Sequence, residues 1–116
     1  MGTDRAFIDY IAEQLDLGAR LAHRKMVGEY ALYLDRKVVA FACDDSLFIK
    51  PNDAVARLHP ELPQRPPYPG AKDYPMADEL LDDAEALRRV FIDSAALLPE
   101  ATPKKTKRTS ARQAVK

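Results

Sequence analysis

The hydrophobic residues near the start of the chain recur at the spacing of an α-helix. The apolar stripe consists of Phe7, Ile8, Ile11 and Leu15. Residues three and four apart lie on one face of a helix, so this stripe predicts a helix over about 4–17. Gly18 follows directly, and glycine adopts at little cost the left-handed conformation that commonly ends a helix. We therefore expect the first helix to end at Gly18.

After Gly18 the pattern changes to short strands separated by polar turns. The β-rich segments are residues 19–26, 30–34, 38–43 and 47–50. The polar segments between them are 27–29, 35–37 and 44–46. Short β-rich segments joined by three-residue turns predict an antiparallel meander of four strands.

The chain after the meander is rich in proline. Asn52 or Asp53 is suited to cap a short helix over 54–58. Six of the nine prolines follow, at Pro60, Pro63, Pro66, Pro67, Pro69 and Pro75. Because proline lacks the amide donor that a β-ladder needs, we expect a loop here, with a short fifth strand near Tyr74 at the sheet edge.

A second amphipathic stripe closes the folded part of the chain. Its apolar positions are Ala84, Leu87, Phe91, Ala95 and Leu98. They predict a helix over 82–98. Asp82 and Glu85 have the spacing of a capping box at its start, and Pro99 ends it. The order of elements predicts an α+β domain, an antiparallel sheet with helices from both ends of the chain packed on it.

The charge is distributed unevenly along the 116 residues, although the formal net charge is zero. The segment 101–116 has no acid and six basic residues, Lys104, Lys105, Lys107, Arg108, Arg112 and Lys116. Subtracting these six from 18 basic residues leaves 12 against 18 acids, a net of −6 over residues 1–100. The segment also has too few apolar residues to offset the entropy of ordering. We expect one domain over 1–98 and a disordered basic tail over 99–116.

Composition narrows the possible classes of protein. No apolar run reaches the ~20 residues that cross a bilayer, and no secretory signal pattern opens the chain. A single cysteine and two histidines favour neither a disulfide scaffold nor a zinc cluster, and the scattered glycines form no phosphate-binding loop. We expect a cytoplasmic protein without a cofactor or a metal.

The residues able to do chemistry do not form a known catalytic pattern. Cys43 ends an apolar strand, and the carboxylates of Asp44 and Asp45 would raise its pKa, so we expect a buried, inert thiol. His23 and His59 stand at no catalytic spacing from a nucleophile. We therefore expect no catalytic residue and no enzyme activity.

Two clusters of basic and aromatic residues remain, one over 23–30 and one over 66–74. Their candidate partner-binding residues are Arg24, Lys25, Tyr68 and Lys72. One interpretation is a solvated strand end and a packed loop. The other is a binding surface for an acidic partner, since rigid loops on a sheet often carry function.

Four segments of the sequence carry a resemblance to a known family. Residues 24–35 read RKMVGEYALYLD and resemble the signature RKMFGGYGLYxDG of the TfoX N-terminal domain family, also called TfoX/Sxy. Residues 38–50 read VVAFACDDSLFIK and are similar to that family's alicDdxLylK. The segments PYPGAK over 67–72 and LDDAEAL over 81–87 fall where the family has them. The resemblance covers about residues 7–98.

The resemblance implies an α+β fold with a central antiparallel sheet flanked by helices. It also implies a regulator of competence genes that acts with other transcription factors, with no defined catalytic residue. Val27 departs from the family's phenylalanine, and Glu29 and Ala31 replace two glycines. Full-length competence regulators carry a helical C-terminal domain, whereas this chain continues into a basic tail, so we expect a stand-alone N-terminal-domain protein.

Three hypotheses about function follow. The first is a small non-enzymatic regulatory or interaction module with a protein partner, the transcription machinery being one candidate. The second is a nucleic-acid-associated protein whose basic tail gives weak, non-specific binding, the alternative being a solvated tail that only aids solubility. The third is an unrecognised small enzyme that uses the neighbourhood of Arg24, Lys25, Tyr68 and Lys72. We expect no membrane partner, and either a monomer or a homodimer.

Overall fold

The computed structural model describes residues 3–100. Its helices and strands are, in chain order, α1 (Arg5–Leu15), β1 (Leu21–Met26), β2 (Glu29–Leu34), β3 (Lys37–Cys43), β4 (Ser46–Ile49), α2 (Asp53–Leu58), β5 (Gln64–Arg65), β6 (Tyr74–Pro75) and α3 (Ala84–Leu97). Short 3₁₀ turns cover Gly18–Arg20 and Asp78–Leu80. The predicted α+β architecture is confirmed, and residues 101–116 of the tail predicted over 99–116 lie outside the described residues.

The four strands β1–β4 form one antiparallel sheet in sequence order, which is the predicted meander. The predicted fifth strand near Tyr74 is present as β6. It pairs with β5 in a separate two-stranded sheet, and a single bridge between Phe48 and Met76 links that segment to β4. Because the prolines of this loop have no backbone N–H to donate, the second sheet is restricted to two residues in each strand.

The main core lies between one face of the sheet and the helices. Its largest fully buried side chains are Phe91, Ile8, Ile11, Leu15, Leu32, Leu34, Leu47, Ile49, Leu87, Val39, Val55 and Val90. A bulge between β2 and β3 contributes to this core, because Leu32 pairs with Ala40 and Tyr33 with Val38, which leaves Val39 as an extra residue. Val39 is fully buried among the core residues.

The opposite face of the sheet is covered by the proline-rich loop over 60–75. Ala31, Cys43 and Phe48 are buried on this face, outside the main core cluster. The rings of Phe41 and Tyr74 meet there with their centroids 6.0 Å apart. The domain therefore has three layers: helices, sheet and loop.

The turns of the meander are tighter than the sequence pattern predicted. Asp35 and Arg36 form one two-residue turn, and Asp44 and Asp45 form another, all four with positive φ. Positive φ at both central residues defines the type I′ turn, whose twist matches the flanking strands. The prediction of three-residue turns is wrong, because the third residue joins a strand in each case; the consequence is largest at Glu29, the first residue of β2.

The helix ends differ from the prediction in two places. The left-handed residue that ends α1 is Asp16, with φ 50°, rather than Gly18, which opens the following 3₁₀ turn. The cap of α3 is Asp83, whose carboxylate accepts from the backbone N–H of Ala86 at 3.1 Å. The predicted capping-box residue Asp82 lies one position before this cap, and its carboxylate accepts a hydrogen bond from the Tyr10 hydroxyl of α1. Asn52 caps α2, as one of the two predicted candidates.

We expect Arg36→Gly to stabilise the protein by about 0.5–1 kcal/mol, because glycine relieves the left-handed strain at φ 70°. The lost ion pair between Arg36 and Glu100 is well exposed and contributes little. Arg89→Gly, in the middle of α3, is the matched control and should cost about 1 kcal/mol. Urea unfolding of both variants tests the opposite signs, and a loss of stability in Arg36→Gly would contradict the assignment of strain.

Candidate functional site

The two basic residues of the first cluster lie on the open edge of the sheet. All of β1 after Leu21 is exposed, including Arg24 and Lys25. The backbone N–H of Asp35 bonds to the carbonyl of Arg20 at 3.0 Å, which sets the alternation of the β1–β2 ladder. By that alternation, the backbone groups of Leu21, His23 and Lys25 face outward, and the N–H of Leu21 bonds to the carbonyl of Gly18 in the preceding turn. In the part of the chain that the structure describes, no strand pairs with this edge.

The other edge of the sheet is covered. The backbone N–H of Ala77 bonds to the carbonyl of Leu47 at 2.7 Å, and the Asp78 carboxylate accepts from the N–H of Leu47 at 2.8 Å. Asp78 also accepts from the hydroxyl of Ser46 at 2.8 Å. The segment after β6 is therefore hydrogen-bonded to the outer edge of β4. Among residues 3–100, β1 is the edge of the four-stranded sheet that remains accessible.

The structure places the four candidate partner-binding residues in two groups. Arg24 is opposite Ala31 in the register and lies on the loop-covered face of the sheet, whereas Lys25 is opposite Tyr30 and lies on the helix face. Tyr68 and Lys72 lie together in the wall of one cavity, beneath the proline-rich loop.

We name this cavity the loop cleft. It has a volume of about 410 Å³ and is lined by Glu29, Phe41, Pro67, Tyr68, Gly70, Ala71, Lys72 and Tyr74. A second cavity of about 320 Å³ at the β1–β2 turn shares Glu29, Pro67 and Tyr68 with it, so the two meet at Glu29. Three aromatic rings, one carboxylate and one ammonium group therefore converge on a single concave surface.

Apolar side chains are exposed near the mouth of the cleft. Val27 at the tip of the β1–β2 turn is fully exposed, Met26 beside it is 42% exposed, and Tyr68 is 55% exposed. Val27 and Tyr68 line the same cavity at the turn. Because scattered single apolar residues are normal but clustered ones mark interaction sites, this end of the molecule has the composition of a contact surface.

Glu29 is the functional candidate that the sequence analysis missed. Its register partner is Cys43, and the thiol donates a hydrogen bond to the Glu29 carboxylate over 2.9 Å. The sequence signal that could have identified it is that glutamate stands at position 29, where the family signature has glycine. Because the sequence analysis placed Glu29 in a turn, its side chain could not be assigned to a face of the sheet.

Cys43 is buried, as predicted, with 4% of its surface exposed. The pKa of the Cys43 thiol is raised to about 12. Burial is the largest cause, followed by the hydrogen bond and charge of Glu29 and then by the charge of Asp44. Asp45, which was predicted to contribute, is not one of the causes of this shift, and its carboxylate accepts from the backbone N–H of Asp4 at 3.0 Å. Glu29 is the carboxylate that acts on this thiol.

We expect the native Cys43 thiol to react with a disulfide reagent at neutral pH about a thousandfold more slowly than an ordinary thiol, in proportion to its thiolate fraction. The pKa of the thiol is higher in the native protein than in the unfolded chain. The protonated thiol therefore contributes its full stabilisation at neutral pH, and this contribution falls as the pH rises toward 12. Labelling with and without urea measures the difference. Glu29→Gln should speed native labelling and Asp45→Asn should not; reaction of the native protein at the rate of the unfolded protein would contradict the assignment.

A larger cavity of about 490 Å³ lies between α2 and α3. Its polar groups already serve the fold: Arg88 donates to the carbonyl of Leu15 at 2.8 Å, Arg89 pairs with Asp93 at 2.7 Å, and Asp83 caps α3. His59, also in its wall, lies 3.3 Å from Glu61. This cavity therefore offers fewer free polar groups than the loop cleft.

The remaining candidate chemistry lies apart from the cleft. The ring of His23 packs edge-on against Tyr30, with the centroids 5.7 Å apart. Over residues 3–100 there is no group of three or more His, Cys, Asp or Glu side chains able to hold a metal ion. None of the described helices has the length and apolar character needed to cross a membrane.

Comparison with known proteins agrees with the fold and the motifs. The profile of the TfoX N-terminal domain matches residues 13–97. An uncharacterised 12.7 kDa protein from the trpE 5′ region of Spirochaeta aurantia is 39% identical over 109 residues, which cover 92% of this chain and 93% of that protein. No solved structure matches the chain. The family profile covers most of the chain, and so this protein belongs to the TfoX N-terminal domain family.

Proposed function

We propose that this protein is a small non-enzymatic interaction module that acts in gene regulation through a protein partner in the cytoplasm. Membership of the TfoX N-terminal domain family supports a regulatory role of the kind that competence regulators have. The buried Cys43 thiol, with its raised pKa, and the separate positions of the two histidines favour binding over catalysis within the described region.

One observation carries the proposal: the open edge strand β1 is exposed and basic, and exposed apolar residues lie at its end. Arg24 and Lys25 provide positive charge, and Met26, Val27 and Tyr68 provide apolar contact area. Interfaces combine an apolar centre with charged residues around it, and the charges select the partner. The surface therefore favours an acidic partner, with Lys72 adding a third cation beside Tyr68.

We expect a photo-crosslinking amino acid at position 27 to capture the partner in cells, because Val27 is fully exposed at the centre of this surface. The matched control carries the same group at Leu97, which is 54% exposed on α3. Arg24→Glu should reduce capture at position 27 severalfold, and Arg57→Glu, an equal charge change on α2, should not. Capture of the same proteins from both positions, or equal effects of the two charge reversals, would contradict the proposal.

The second candidate function is non-specific nucleic-acid binding by the basic segment, and it stays a prediction because residues 101–116 lie outside the described region. The charge distribution favours it, with six cations there against a net of −6 over residues 1–100. In the full chain, replacing the six cations by glutamine should abolish DNA binding. The slope of log K against log salt for the native chain should be no steeper than about −5. Equal DNA binding by the two chains would remove this candidate.

A further inference from the structure

The Glu29 carboxylate is half-buried and has little within the protein to balance its charge. Its side chain accepts one hydrogen bond, from the Cys43 thiol at 2.9 Å, and a thiol is a weak donor. No lysine or arginine of the described chain lies within ion-pair distance of it. A carboxylate accepts several hydrogen bonds, and burying one without a partner is costly. The contact with Cys43 leaves the second oxygen available to a ligand.

The walls around Glu29 are aromatic. Phe41 and Tyr74 pack with their ring planes tilted by 49°, and Tyr68 faces the same space from the loop. Tyr74 lines the same cavity as Glu29, and burial, followed by the charges of Tyr68 and Glu29, raises the pKa of its hydroxyl. Aromatic faces attract cations, and the attraction grows where water is displaced.

Lys72 is the one cation in the wall of the cleft. It is exposed and does not form an ion pair with Glu29. A ligand that binds as an anion would use Lys72, whereas a ligand that binds as a cation would use Glu29 and would be repelled weakly by Lys72. The half-buried position of Glu29, compared with the exposed position of Lys72, favours the cation.

We propose that the loop cleft binds an alkylammonium group, with the Glu29 carboxylate as its counter-ion and the rings of Phe41, Tyr68 and Tyr74 as its walls. This chemistry has two sources, a free small amine or the lysine side chain of a peptide. The site shares Tyr68 and Lys72 with the surface proposed for the acidic partner, but it uses the interior of the cleft and binds a ligand of the opposite charge.

The test is an NMR titration of the full chain with n-butylammonium, acetyl-Ala-Lys-Ala-amide, and the shape-matched controls butanol and butyrate. We expect both amines to give saturable shifts of the backbone amides of Gly28, Glu29, Gly70 and Ala71, and the two controls to give none. Tighter binding of the peptide assigns a macromolecular lysine as the ligand, and tighter binding of n-butylammonium assigns a small amine.

Two variants separate the carboxylate from the rest of the site. Glu29→Gln keeps the shape of the side chain and should weaken binding by about tenfold, the equivalent of about 1.4 kcal/mol. Lys72→Ala should leave binding unchanged or tighter. Tyr68→Ala, at an exposed position that tolerates substitution, should weaken binding severalfold if Glu29→Gln does not fold. Three results would overturn the proposal. The first is that the amines cause no shifts in the cleft, and the second is a loss of binding in Lys72→Ala. The third is that Glu29→Gln, or Tyr68→Ala where Glu29→Gln does not fold, binds as tightly as the native chain; none of these results tests partner capture at Val27.

Discussion

Leu87→Ala is expected to lower the free energy of unfolding by about 2–5 kcal/mol, because it removes a fully buried side chain and leaves a cavity. Leu87 lies on the face of α3 that packs in the main core, where neighbouring side chains are also fully buried and have little room to fill the gap. A domain of this size has a total stability of about 5–15 kcal/mol, so the loss is a large part of it.

Leu97→Ala is the matched control for this substitution. It makes the same chemical change on the same helix, at a side chain that is 54% exposed, and should cost less than about 1 kcal/mol. Urea unfolding followed by circular dichroism measures both, with unchanged m-values showing that the unfolded state is not altered. Equal losses in the two variants would show that the helix face of the sheet is not the core.

Asn52→Ala should cost about 2–4 kcal/mol, because Asn52 joins α2, α3 and the segment after β4 through four hydrogen bonds. Its side-chain oxygen accepts from the backbone N–H groups of Ala54 and Val55 at 2.8 and 3.1 Å. Its amide donates to the carbonyl of Lys50 at 2.8 Å and to the hydroxyl of Ser94 at 3.0 Å. Alanine removes the cap of α2 and leaves polar groups without partners, including the fully buried Ser94.

A double-mutant cycle with Ser94→Ala isolates one of these contacts. Since the two side chains share a hydrogen bond, the double variant should lose less than the sum of the single losses, by about 0.5 kcal/mol or more. Asp83→Ala, which removes an exposed single-bond cap of α3, should cost about 1 kcal/mol and serves as the control. The assignment fails if Asn52→Ala costs no more than Asp83→Ala.

The elements that were predicted correctly depend on local patterns. The stripe from Phe7 to Leu15 and the stripe from Leu87 to Ala95 bury one face of α1 and α3, and a helical spacing is visible in any window of the sequence. The same holds for the alternation of strands and turns in the meander. Local spacing does not determine which of two adjacent polar residues caps a helix, so the choice of Asp83 over Asp82 required knowledge of the residue at which α3 begins.

The loop cleft could be predicted only in part. Tyr68 and Lys72 were identified because they lie close together in a short loop. Glu29 reaches the same cavity through the register between β2 and β3, which pairs it with Cys43. The two-residue turn at Asp35 and Arg36 and the extra residue Val39 set that register, and a shift of one position would turn each side chain to the other face. Loop residues 67–74 pack on the face of the sheet that carries Glu29. These contacts join distant parts of the chain, so the spacing of hydrophobic residues cannot predict them.

The asymmetry of the sheet edges limits how copies of this chain can assemble. Polymerisation of a β-protein into a fibre requires every chain to offer two free edges, one to each neighbour. Within the described residues, the Ala77 and Asp78 contacts occupy the β4 edge and leave β1 as the one open edge of the four-stranded sheet. Two chains that met through β1 would form one continuous eight-stranded sheet (four strands from each) with both outer edges covered. Growth along the hydrogen-bonding direction would therefore terminate at a closed pair.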